Sequence, residues 1–352
     1  MFRYILEDVI LPTGVGKLPK LLGASKNGRL KASDWLTLFE LVIPLIVLEI
    51  FFHGEEPISP KSKRGQFLQN TGDLVQCTRI ACTRVVRDGH AGRFSNAYAR
   101  YTQSSKILFN NPIVKPNHHY ALHIPQQLKL WGPLFGVAEF AGERLIGILQ
   151  KNPTNNRISE IHGTLMRRVN GLQKLIAGHP QVNEVLEGQT EEKEGGNYNV
   201  MEMEQCVYVA MMQMLTKEGV KFRRWNDFPH PPGEFILSRY ARQIPFTKYQ
   251  DRRISTTAPN NVVFLKLHGR IEYAMVKGIF QFRGINAKKE VAVHVDRIDP
   301  IFTHQKFKPG ELGYYTQILG VVPGRFGTLN NDYMIRPSQI LGNAAYRYLP
   351  PE

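Results

Sequence analysis

At 352 residues the chain has room for two ordinary domains, and 42% hydrophobic with 21% charged residues fits a protein that buries a sizeable core. Its formal charge of +15 favours polyanionic partners, of which nucleic acid is the commonest. Three cysteines, Cys77, Cys82 and Cys206, are too few for a disulfide framework and suit a reducing compartment.

The first residues, Met1 to Leu11, have no basic region followed by an apolar one, so no secretory signal is expected. Residues 1 to 33 read as an extended lead-in punctuated by Pro and Gly, with Ser33 or Asp34 capping a helix that opens at Trp35. The stretch Trp35 to Phe52 is the one membrane suspect, but Glu40, Pro44 and Glu49 interrupt it. A buried helix bent at Pro44 is the expectation, and no membrane.

A second helix is predicted from about Asn70 to Arg87, with Leu74, Cys77, Ile80, Ala81 and Val85 on one face. On that face Cys77 and Cys82 are packing groups rather than ligands. A third helix is predicted over Arg93 to Phe109, and residues 112 to 136, dense in His, Gly and Pro, are expected to break regular structure. Helices follow at Glu139 to Lys151 and at Asn155 to Ala177. The latter has an apolar seam of Ile158, Ile161, Leu165, Val169, Leu172 and Ile176. Arg157, Arg167, Arg168 and Lys174 fall off that seam, toward solvent or a polyanion.

An acidic, Gly-containing linker is expected over residues 181–200, then a helix at Met201 to Lys217. Beyond it the runs NVVFLKLHG, RIEYAMVKGIFQF, KEVAVHVDRI and YYTQILGVV read as short strands of a small antiparallel sheet or barrel. The expected class is therefore α+β: a mostly helical part over 1–180, the linker, and a helix plus β-rich domain over 201–352.

Chemistry concentrates between residues 115 and 157. His119 and His123 stand four apart, so one helical turn would project both toward a shared metal such as Zn²⁺. With Glu143 downstream the set is similar to a zinc-peptidase pattern. Tyr120, however, occupies the place of the general-base Glu, and Pro125, Gly132 and Pro133 break the helices such a site needs. A zinc hydrolase is thus a lesser alternative.

In chain order the segment carries Lys115-Pro116-Asn117, His119, Ala121-Leu122-His123, Gly132-Pro133, Glu143-Arg144 and Leu149-Gln150, with Thr154-Asn155 after them. That succession resembles the end of the catalytic core in CACTA (En/Spm-type) DNA transposases of fungi. The resemblance extends upstream through LPTGVGKLPKLLG and GRLKASDW, covers residues 1 to 180 well, and continues loosely beyond. It implies an RNase H-like core whose three carboxylates hold two Mg²⁺ ions for cut-and-paste transposition, and a nuclear location.

Residue by residue, the resemblance makes Glu143 the third carboxylate. It makes His119 and His123 half of a structural metal site, and Arg144 a phosphate or carboxylate partner. Arg144, Lys151, Arg157, Arg167 and Arg168 are then the candidate nucleic-acid contacts. The family's two aspartates and its upstream ligand pair would precede Met1, and Asp8, Asp34, Asp73 and Asp88 do not sit in its Asp motifs. The expectation is a DNA-binding chain that does not cut alone, and that needs an N-terminal transposase chain, or works by self-association. The alternative is a domesticated or relic chromatin or DNA interaction protein.

Overall fold

The computed structural model describes residues 2–19, 22, 30–52, 57–137, 146–147, 158–178, 200–267, 269–285, 288–302, 306–326 and 332–349. Helix and antiparallel strand both contribute, so the class is α+β. The chain divides into two compact units. The first comprises Met1–Ala81, Arg87–Gln126 and Tyr198–Glu352; the second comprises Cys82–Val86 and Gln127–Asn197. The first unit thus takes in residues from both sides of the expected linker, of which 181–199 lie outside the described residues.

In the first unit the lead-in is not wholly extended, since α1 spans Phe2–Leu6. Beyond it the chain is tied to the C-terminal sheet. Ile10 and Tyr346 exchange backbone hydrogen bonds of 2.8 and 3.1 Å, and the Asn260 side chain accepts from Thr13 N–H at 3.0 Å. Helix α2, Ala32–Thr37, starts before Trp35; Asp34 caps it by accepting the Lys31 N–H at 2.9 Å from the third helical position.

A π-helical turn, Leu38–Val42, joins α2 to α3, Ile43–Phe51, so the chain runs helically through Pro44. The wider turn just before Pro44 accommodates its missing N–H and its ring. The two glutamates that interrupt this apolar stretch are both engaged: Glu49 pairs with Arg347, only 4% exposed, and the Glu40 carbonyl accepts from Arg79 at 3.2 Å. Burial pulls the Arg79 pKa down, while the Glu40 charge opposes that shift. Among the described residues no helix is long and apolar enough to cross a membrane.

Helix α4 spans Lys63–Ala81 and α5 spans His90–Leu108. The expected start at Asn70 was late because the buried face of α4 is polar there: Asn70, Thr71 and Asp73 are all buried. Asn70 donates to the Ser104 and Ser105 hydroxyls, both at 2.8 Å, and Asp73 accepts from Arg100 at 2.6 and 3.0 Å. Cys77 and Ile80 are buried as expected, whereas Val85 lies beyond the helix and is exposed.

Residues 112 to 136 hold more regular structure than their Pro and Gly suggested: α6 at Pro116–Ala121, α7 at Ile124–Trp131 and a 3₁₀ turn at Leu134–Gly136. Pro116 and Pro125 occupy first-turn positions, where a missing N–H costs nothing.

Of the second unit, the main described element is α8, Ile158–Gly178, close to the expected helix. The Glu139 to Lys151 helix falls almost wholly outside the described residues.

The C-terminal part opens with a short strand β1, Val200–Glu202, where helix had been expected, and continues into α9, Gln205–Lys217. Strands follow as β2 (Arg223–Arg224), β3 (Ile236–Leu237), β4 (Tyr240–Gln243), β5 (Phe246–Tyr249), β6 (Arg252–Ser255), β7 (Val262–Leu267), β8 (Arg270–Arg283) and β9 (Lys289–Pro300). Helix α10, Leu312–Leu319, precedes β10 (Gly324–Arg325), β11 (Asp332–Ile335) and β12 (Ile340–Asn343).

The main sheet has eight strands, in the order β1-β4-β8-β7-β12, with β9 against β8 and with β10 and β11 against β9. All its pairings are antiparallel, and the long β8–β9 ladder shifts register between Val276 and Gly278. One core layer packs α9 through Val207, Met211 and Leu215 onto Phe280, Phe282 and Met334. A second gathers Ile254, Val263, Leu265, Ile279, Val293 and Ile340.

The expected strand YYTQILGVV is instead α10. Aromatic and β-branched residues imitate strand composition there, but Tyr315 and Leu319 are one turn apart and both buried. Gly320 ends the helix in the left-handed region at φ +62°, and a Cβ there would meet the Arg79 guanidinium. Tyr314 donates to Gln69 of α4 at 2.7 Å, which fastens α10 to the helical layer.

Candidate functional site

The histidine-rich turn forms because Lys115 is extended and Pro116 starts α6 with its fixed φ. Its three histidines separate by orientation. His118 is half-buried, and Tyr98 donates its hydroxyl to the His118 carbonyl at 2.9 Å and lies 3.3 Å from its Nδ1. His119 and His123 are exposed, their rings meet edge to face at 5.0 Å, and their Nε2 atoms are 3.3 Å apart.

Two imidazole nitrogens that close can share one proton, or turn both lone pairs toward a cation. This donor set suits Zn²⁺ and supplies two of its four usual ligands; Mg²⁺, which prefers oxygen, would not be held by it. Among the described residues no group of three or more His, Cys, Asp or Glu could hold a metal. Glu143, Arg144, Lys151 and Arg157 lie outside the described residues.

Arg167 and Arg168 stand on α8, and both are exposed, as are His162 and Lys174. Of the expected apolar seam, Val169 is half-buried, while the side chains of Ile158, Ile161, Leu165, Leu172 and Ile176 lie outside the described residues. The histidine pair belongs to the first unit and the arginine pair to the second.

Cys77 is inert by environment: burial first, and then the Asp73 charge, push its thiol up to about 12. An apolar cavity of about 440 Å³ lies between α3 and the α4–α5 pair, lined by Ile46, Phe51, Phe67 and Phe109 among others. Among the described residues on its wall, Tyr101 is the titratable side chain.

Two features escaped the sequence reading. One is the buried Asp73 with its Arg100 partner, which a hydrophobic pattern cannot flag. The other is a surface between residues 221 and 240. There the Arg239 guanidinium lies 5.5 Å from the Trp225 ring centre, and Phe228 stacks on His230 at 4.6 Å. The string KFRRWNDFPH carried the signal for it: cations interleaved with aromatic rings and too little alternation for a buried strand.

Compared with protein-family models, curated proteins and solved structures, the chain matches none.

Proposed function

We propose that this chain is a nucleic-acid-binding protein, the C-terminal portion of a DDE-type cut-and-paste transposase, working in the nucleus and without nuclease activity of its own. The observation that carries the reading is electrostatic: Lys and Arg exceed Asp and Glu to leave a formal charge of +15. The ordered strings from Lys115 to Asn155 add the family to it. In this reading residues 1–180 derive from an RNase H-like core. Glu143 is the third carboxylate of that core, or its relic. Arg144, Lys151, Arg157, Arg167 and Arg168 contact phosphates.

The approach of His119 Nε2 to His123 Nε2 at 3.3 Å supports a Zn²⁺ half-site, to be completed by ligands from an N-terminal transposase chain. Mg²⁺ would require two further carboxylates beside Glu143, so DNA cleavage waits on the same partner. The exposed His pair would then hold a structural ion and take no part in bond breaking.

The test is duplex DNA binding by fluorescence anisotropy over a range of salt. Affinity should fall steeply, linearly in the logarithm of salt concentration, with little dependence on DNA sequence. Affinity that is absent, or flat from low to moderate salt, defeats the reading. Incubation of supercoiled DNA with Mg²⁺ should leave it intact; nicking that Glu143→Gln abolishes would defeat the claim of catalytic silence.

A further inference from the structure

The loop between residues 221 and 240 is tied down at its base. Arg223 of β2 donates its backbone N–H to the Phe235 carbonyl at 2.8 Å, and Tyr208 of α9 donates its hydroxyl to the Leu237 carbonyl at 3.1 Å. These bonds clamp the two limbs of the loop. Directly after β2 a turn closes from Asp227 N–H to the Arg224 carbonyl at 3.1 Å, with Trp225 inside the turn and Phe228 just beyond it.

The clamped loop presents aromatic rings to solvent: Trp225 is 40% exposed and Phe228 77%, while Tyr240, at the start of β4, is 57% exposed. One face of Trp225 is covered by Arg239 and one face of Phe228 by His230, and each ring still keeps open area. Rings with an exposed face are available to stack against a planar partner.

Much of the local charge is paired: Glu234 pairs with Arg223 and Glu202 sits 2.7 Å from Arg239 Nε, while Lys221 and Arg224 stand exposed. The recognition chemistry here is therefore stacking, with the excess positive charge of the whole chain attracting the polyanion. Duplex DNA keeps its base faces buried against one another. Unpaired bases offer theirs, and any base can stack on an indole or phenyl ring.

We infer that Trp225, Phe228 and Tyr240 form a stacking platform for single-stranded nucleic acid. The inference rests on the nucleic-acid reading above and adds to it the form of the strand and the residues that grip it. A strand crossing the platform seats bases on these rings and leaves its phosphates to Lys221 and Arg224, both exposed.

The experiment compares binding of a labelled oligothymidylate of about 20 nucleotides, enough for more than one such site, with binding of a duplex of equal length. The wild-type chain is set against Trp225→Ala/Phe228→Ala, and against Trp225→Phe/Phe228→Tyr as a variant that keeps both rings. Stacking of one base corresponds to about tenfold in affinity. The alanine pair should lose about tenfold or more on the single strand while the duplex changes by less than about twofold, and the ring-keeping pair should stay near wild type.

A second readout uses the fact that the chain has three tryptophans, so Trp35→Phe/Trp131→Phe leaves Trp225 as the only indole. Oligothymidylate should quench its emission, and polyglutamate should not. Equal loss on both nucleic acids, no loss on the single strand, or equal quenching by polyglutamate would each overturn the platform. Loss of the duplex affinity in the wild-type chain itself would instead overturn the nucleic-acid reading beneath it.

Discussion

Helices α4 and α5 meet across polar side chains, whereas strands β8 and β9 meet α9 and their neighbours across an apolar layer. In the helical pair Asn70, Asp73 and Ser105 are buried and bonded to one another's helix. In the sheet the buried positions include Ile279, Phe280, Ala292, Val293 and Val295, with His294 the buried polar side chain in their midst. The two regions thus fail in different ways. An apolar layer loses contacts when a side chain is trimmed. A buried polar pair becomes worse than no pair when one partner goes, because the charge left behind is desolvated and alone.

The largest expected effect is in the sheet. Ile279→Ala, at a position with no exposure, should destabilise the chain by about 3 kcal/mol, read as a lower urea midpoint. Next is Arg100→Ala, which strands Asp73 at 2% exposure. Arg100 is itself half-exposed and its interaction partly screened, so the expected loss is about 2 kcal/mol. The comparison sharpens with Asp73→Leu/Arg100→Leu, which should fall within about 1 kcal/mol of wild type because no unpaired charge remains. A double variant weaker than Arg100→Ala would show that the region tolerates no apolar substitute.

The effect that is smallest near neutral pH concerns titration on the same buried face. The Cys77 thiol is raised from 9.0 to about 12, so the native state binds its proton more tightly than the unfolded chain does. Its contribution is complete below pH 9.0 and is lost as the pH climbs toward 12. Tyr346, raised from 10.0 to about 12 by burial first, adds a loss of the same sign in the sheet. Urea midpoints should therefore decline above pH 9.0, less steeply in Cys77→Ala than in wild type. Equal slopes would deny the thiol its role.

The contrast also explains which elements were legible. Strands β7, β8 and β9 were readable because their β-branched and aromatic runs are bounded by turn residues. Helix α4 was placed late because Asn70, Thr71 and Asp73 look like surface residues until α5 supplies their partners. The composition of α10 read as strand, and its helical form depends on packing Tyr315 and Leu319 against α3 and α4. At the candidate site the i, i+4 spacing of His119 and His123 was enough to foresee their approach. The separation of His118 from that pair was not, since it depends on Tyr98, brought in from α5.

By itself the sequence determined the mixed class, the helical form of the apolar stretch around Pro44, the central strands and the spacing that joins two histidines. Each is a local matter of periodicity, capping or turn chemistry, acting over a few residues. Tertiary structure alone decided that residues on both sides of the expected linker share one unit, that Glu49 meets Arg347, and that Asp73 is buried beside Arg100. Such choices depend on which distant groups arrive to neutralise a buried charge, and no local pattern encodes that arrival.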